Sequence, residues 1–202
     1  MRSRACSRAG SRKSLRSIIL VLLLAAAPAV AQLRHDVTVT RVGDHLAVTV
    51  VGAGVDGEEL RANLERGFTA RIEFAIRLLR PRSAPFGFLG YELVHEFRPH
   101  YEIRYDPFLR RSVIAAEDGA LYSFTDDSDL MRFLLVLPSY RIPWSVFGES
   151  VDPRTAPIAV EARVVYDPIV FVPALGLLSL FRFNERHMTP WTRVEPRIGG
   201  GE

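Results

Sequence analysis

Alternation of apolar and polar residues governs most of the chain after residue 35. In "DVTVTRV" (36–42) Val37 and Val39 point one way and Thr38 and Thr40 the other. In "HLAVTVV" (45–51) Leu46, Val48 and Val50 share a face, and Gly43-Asp44 between the two runs leaves room only for a hairpin turn. "TARIEFAIRLL" (69–79) sets Ile72, Phe74, Ile76 and Leu78 against Arg71, Glu73 and Arg77. "YELVHEF" (91–97), "YEIRY" (101–105), "SVIAA" (112–116) and "VEARVVY" (160–166) keep the same period. The pattern predicts half-buried strands with one wet face, as in antiparallel sheets.

Two segments follow the helical period instead. "DGEELRANLERG" opens with Asp56 and Glu59 at capping-box spacing, places Leu60 and Leu64 one turn apart, and closes at Gly67. "TDDSDLMRFLLVLP" gathers Asp126, Asp127 and Asp129 into a first turn. Leu130, Phe133, Leu134 and Leu137 then form an apolar face, which Pro138 is expected to end. The expected order is two strands, a helix, four strands, a second helix and two or three more strands. That order predicts a mainly β, antiparallel β-sandwich-like single domain with two short helices. The domain is expected over 32–196, with 197–202, ending in "GGGE", as a flexible tail.

The tripeptide Tyr-Asp-Pro occurs twice, at Tyr105-Asp106-Pro107 and Tyr166-Asp167-Pro168. Asp and Pro are favoured first and second residues of a type I turn, and Pro lacks the N–H of a strand interior. Both copies are therefore expected to end a strand. The sequences diverge beyond them, "FLRRSVIA" against "IVFVPALG", so nothing supports an internal duplication.

The first 31 residues change the electrostatic picture. Arg2, Arg4, Arg8, Arg12, Lys13 and Arg16 precede the apolar run "IILVLLLAAA", and Ala29-Val30-Ala31 follows it. This is the pattern of a secretory signal peptide cut after Ala31, against the alternative of an uncleaved anchor. "SRKSLR" (11–16) loosely echoes the twin-arginine export motif, and the strongly apolar run favours the general secretory route. Six of the 26 basic residues lie in that segment, leaving 20 against 23 acids, net −3. The excess of positive charge thus belongs to the leader, and nucleic acid is not an expected partner. Cys6 is the only cysteine, so the mature chain is expected to have no disulfide, thiolate nucleophile or Cys-ligated metal.

Candidate chemistry is sparse. In "HEFRPH" (95–100) the histidines are five apart, Pro99 forbids a regular helix, and strand geometry sends the two rings to opposite faces. "DDSD" lacks the spacing and Gly of a calcium loop, and no nucleophile elbow or phosphate loop is present. Catalytic residues, cofactor and metal ligands are all read as none. "IVFVPALGLLSLF" (169–181) is uncharged, too short to span a bilayer, and broken by Pro173 and Gly176. Two readings stay open: a buried strand pair, or an exposed apolar edge that receives a partner or a lipid.

The succession "LRANLERGFTARIEFAIRLLRPR", "YEIRYDPFLRRSV", "SFTDDSDLMRFLLVLPSYRIPW", "IAVEARVVYDP" and "TPWTRV" resembles a family of small bacterial signal-peptide proteins, domain-of-unknown-function family 4390. The resemblance covers about residues 35–194 and implies an exported domain without assigning a catalytic residue. "VPALGLLSLFRF" departs from it by being far more apolar.

The expectation is an exported protein of the periplasm or outer envelope, most readily a non-enzymatic module binding another envelope protein or peptide. Val170, Val172, Leu178 and Leu180 are its candidate surface, together with the Arg/Glu strand faces. The rival is a carrier of an apolar ligand lined by Phe74, Phe97, Tyr101 and Phe171. An enzyme without a recognisable motif comes third. No transmembrane span is expected after signal cleavage.

Overall fold

The computed structural model describes residues 32–82, 85, 90–148, 157–170 and 186–198. The chain opens with the hairpin β1 (Arg34–Val42) and β2 (His45–Ala53), paired from Arg34↔Ala53 to Val42↔His45. Gly43, at φ +46, makes the two-residue turn. Helix α1 (Gly57–Glu65) starts where the Asp56 carboxylate accepts from the N–H groups of Glu58 and Glu59, at 2.9 and 3.2 Å. It ends where Gly67, at φ +84, turns the chain so that Phe68 N donates to Asn63 O at 3.1 Å. That is a Schellman closure, for which a residue without Cβ is favoured.

Strand β3 (Thr69–Pro81) is the spine of the second sheet. On one side it pairs with β9 (Ala159–Val170) along most of its length. On the other it pairs with β4 (Tyr91–Phe97) and then β5 (His100–Asp106). Ile76↔Phe97 and Glu73↔His100 share one register, and Phe74 N donates to Pro99 O at 2.9 Å. β4 and β5 are therefore one extended line broken at Arg98-Pro99, where Pro99 supplies an acceptor although it cannot donate. β6 (Arg111–Ala116) and β7 (Leu121–Phe124) complete that side. β10 (His187–Met188) and β11 (Thr192–Val194) pair with the far edge of β9.

Helix α2 (Asp127–Leu134) begins at Asp126, whose carboxylate accepts from Ser128 N and Asp129 N at 2.6 and 3.1 Å. The expected helical run to Leu137 is corrected here. The helix stops at Leu134, and Val136–Pro143 is a strand, β8, lying on β2 with Leu137 opposite Val50. Leu137 is buried from that strand, and Leu135 O accepts from Gly52 N at 2.7 Å, which draws the chain into the first sheet. A 3-10 turn, Trp144–Phe147, follows. β12 (Arg197–Ile198) lies parallel to β1 and carries the pairing to Ile198.

The two sheets run β12-β1-β2-β8 and β10-β9-β3-β5-β6-β7, and their described pairings are antiparallel apart from β1 with β12. The fold is mainly β with two short helices, as the alternation predicts. One core joins Val39, Leu46, Val48 and Val50 to Ile72, Phe74, Ile76, Leu78, Val160 and Val164, with Leu60, Leu64, Leu130 and Leu134 from the helices. Each such side chain contributes about 1.5–3 kcal/mol by leaving water. Among the described residues no helix is long and apolar enough to cross a membrane.

The two Tyr-Asp-Pro copies part company. Asp106 ends β5, and its carboxylate accepts from Phe108 N and Leu109 N at 3.0 and 3.1 Å, as a turn initiator does. Asp167-Pro168 does not turn, because β9 runs through to Val170. The register against β3 shifts between Thr69↔Val170 and Arg71↔Asp167. This bulge absorbs the missing N–H of Pro168.

Candidate functional site

Of the residues singled out as a candidate surface, Val170 is half-buried at the end of β9, opposite Thr69. Val172, Leu178 and Leu180 lie outside the described residues, as does Phe171. Phe74 is fully buried, and Tyr101 meets it edge-on with centroids 6.0 Å apart. Phe97 packs on Tyr140 of β8 at 5.9 Å, joining the two sheets. Burial raises the pKa of the Tyr101 and Tyr140 phenols. Among the described residues no group of three His, Cys, Asp or Glu is placed to hold a metal. The exposed His95 ring lies on Phe97 at 4.4 Å, while His100 reaches back toward Arg98 O.

The Arg/Glu faces are paired across strands. Register places Arg193, Glu161, Arg77 and Glu96 in one row across β11, β9, β3 and β4. Arg193 meets Glu161 at 2.7 Å and Arg77 meets Glu96 at 2.8 Å. Arg71 binds Glu102, and Arg98 binds Glu96 at 2.6 Å while standing 3.6 Å from Glu73. The Glu96 and Glu161 side chains are only 17% and 16% exposed. Hydrogen bonds from Arg77 and Arg71 hold the Glu96 and Glu102 carboxyls below the ordinary carboxylate range. These charges answer one another across strands, so the face is not the free charged surface that alternation suggests. Asp167 is the exception. Burial pushes its pKa up despite Arg186 at 3.3 Å, and its Oδ1 has a charge nearby without a hydrogen bond. Beside it the buried Tyr166 hydroxyl also has no hydrogen-bond partner among the described residues, and desolvation raises its pKa strongly.

The described residues leave a different edge open. β6 and β7 join through a tight turn in which Ala116 N donates to Ala120 O and Gly119 N to Ala116 O, at 2.9 and 3.0 Å. Gly119 takes φ +85 there, and Asp118 accepts from Ala120 N. Because Ala116 bonds to Ala120, the alternating ladder makes Ile114↔Tyr122 and Ser112↔Phe124 the bonded pairs. The N–H and C=O groups of Leu121 and Ser123 then point away from β6. β7 ends the order of its sheet, with no second strand neighbour among the described residues.

Beside that edge lies an apolar hollow. Tyr122 and Phe124 turn inward onto Phe133 of α2, with centroids 4.5 and 5.2 Å apart. Outside Phe133, an open groove of about 440 Å³ is floored by Phe124, Phe133, Val136 and Pro138 and rimmed by Asp129 and Arg132. Leu121 is 71% exposed at the start of the edge. The sequence signal for β7 is Asp118-Gly119 between two β-rich runs, a hairpin mark that alternation alone does not register. No protein-family model, curated protein or solved structure matches this chain.

Proposed function

We propose that the chain is an exported envelope protein that binds an extended segment of another envelope protein as an added strand on β7. The carrying observation is the uncharged edge Leu121–Phe124, whose outward peptide groups stand beside an apolar groove. Backbone pairing would supply affinity, and an apolar side chain of the partner in the groove would supply selectivity. The opposite situation holds at β8, where Pro138, Arg141 and Pro143 mark an edge blunted against pairing. A four-residue edge is short enough to discourage self-association yet long enough to seat one segment. The leader-like first 31 residues support the envelope as the place of action.

The test is capture from envelope extract by the parent chain and by Ser123→Pro. Proline at an outward N–H of an edge strand leaves the pairing with β6 in place. The expected result is a bound protein lost in Ser123→Pro while melting is unchanged. In the captured complex the Leu121 and Ser123 amides should gain protection from hydrogen exchange. Undiminished capture by Ser123→Pro would overturn the reading.

A further inference from the structure

The β5–β6 hairpin ends in a second feature, separate from the β7 edge. Pro107, Phe108, Leu109 and Arg110 span the gap between the paired residues Asp106 and Arg111. The Asp106 carboxylate holds Phe108 N and Leu109 N, and the hairpin is anchored below by the fully buried Ile103 and Ile114. At this apex Phe108 is 94% exposed and Leu109 56%. Arg110 takes φ +49, a left-handed backbone conformation that glycine adopts readily. An arginine in that conformation is strained, and such strain points to a role for the side chain.

The cations at the apex meet no partner group among the described residues. Arg111 Nε is buried without a hydrogen bond, and neither Arg110 nor Arg111 meets an acid among the described residues. Both border a hollow of about 60 Å³ whose lining acid, Asp127, is already held by Arg61 at 2.8 Å. That space is far below the size of a small-molecule pocket. A convex pair of apolar side chains is also much smaller than the roughly 800 Å² per partner of a protein interface. It suits the boundary between headgroups and acyl chains, which apolar side chains enter by about 5–10 Å.

We infer that the β5–β6 apex is a membrane-surface foot, in which Phe108 and Leu109 enter the bilayer interface and Arg110 and Arg111 take the phosphate of an anionic phospholipid. Attachment is reversible, since two side chains give far less than an acyl anchor. The foot works whether or not a strand is added at β7.

The test places a nitrobenzoxadiazole label on Leu109→Cys in the full chain carrying Cys6→Ser, so that the tip itself reports. Phosphatidylglycerol vesicles should raise the emission and shift it to the blue, and phosphatidylcholine vesicles should do neither. Each arginine at an anionic surface is worth about a fivefold change in partitioning, so Arg110→Gly with Arg111→Gln should weaken it about 30-fold. Arg110→Gly should melt no lower than the parent, which separates that loss from unfolding. An unchanged label with phosphatidylglycerol, or an equal response to phosphatidylcholine, would overturn the foot. So would saturable binding of inorganic phosphate in the micromolar range without vesicle binding, which would mark a soluble-anion site.

Discussion

The Arg77 guanidinium lies 4.0 Å from the ring centroid of Trp191, and Arg163 lies 4.4 Å from the same ring. Trp191 is thus held between two arginines on the outer face of the second sheet, where Arg77 also binds Glu96. Arg163 is the register partner of Ala75, which is fully buried although it sits on that outer face. Every basic residue after Lys13 is arginine, the side chain that can both stack on an aromatic ring and bind a carboxylate. Arg77→Lys should cost about 1 kcal/mol in denaturant melts, and the more exposed Arg80→Lys a fraction of that.

Phe74 is the largest fully buried side chain of the core and stands on the inner face of β3. Phe74→Ala should cost about 3–5 kcal/mol. Chemical denaturation of the two proteins measures it. A cost near 1 kcal/mol would mean that the sheets close over the missing ring.

The two Tyr-Asp-Pro aspartates should respond differently to loss of charge. Asp106→Asn keeps the acceptor of the turn and should change stability by less than about 1 kcal/mol. Asp167 has a raised folded pKa, so its ionised form is the disfavoured one in the fold. Its unfavourable contribution grows as pH rises from the ordinary value of 3.8 through the raised one and persists above it. Asp167→Asn should therefore raise the melting temperature at pH 7 and lose that advantage near pH 3.

Glu96 and Glu102 work in the other direction. Their folded pKa values lie below the ordinary 4.5, so their pairing with Arg77 and Arg71 stabilises the fold above that pH. The contribution should vanish as pH falls through the lowered values. Glu102→Gln should accordingly narrow the difference in melting temperature between pH 7 and pH 3.

At the apex, Arg110→Gly relieves a left-handed non-glycine backbone. Relief is worth about 1–2 kcal/mol and the added freedom of the unfolded chain offsets part of it, so the net gain should not exceed about 1 kcal/mol. A clear loss of stability would show that the arginine side chain holds the turn.

What the sequence determined by itself is local. Alternation marked β1 to β6 and most of β9. Asp56, Asp126 and Gly67 marked helix ends, and Asp106 marked a turn, because each acts on backbone groups within a few residues. Tertiary structure decided everything that depends on a distant neighbour. Leu137 reads as helical until β2 offers Val50 as its partner, and Asp167-Pro168 reads as a turn until a bulge opposite Ala70 lets the strand pass. Arg77 looks like a solvent-facing charge until β4 brings Glu96, and the residue before β11 brings Trp191, from 19 and 114 residues away. The openness of β7 is of the same kind. An edge is defined by the strand that is not beside it, and no stretch of four residues carries that information.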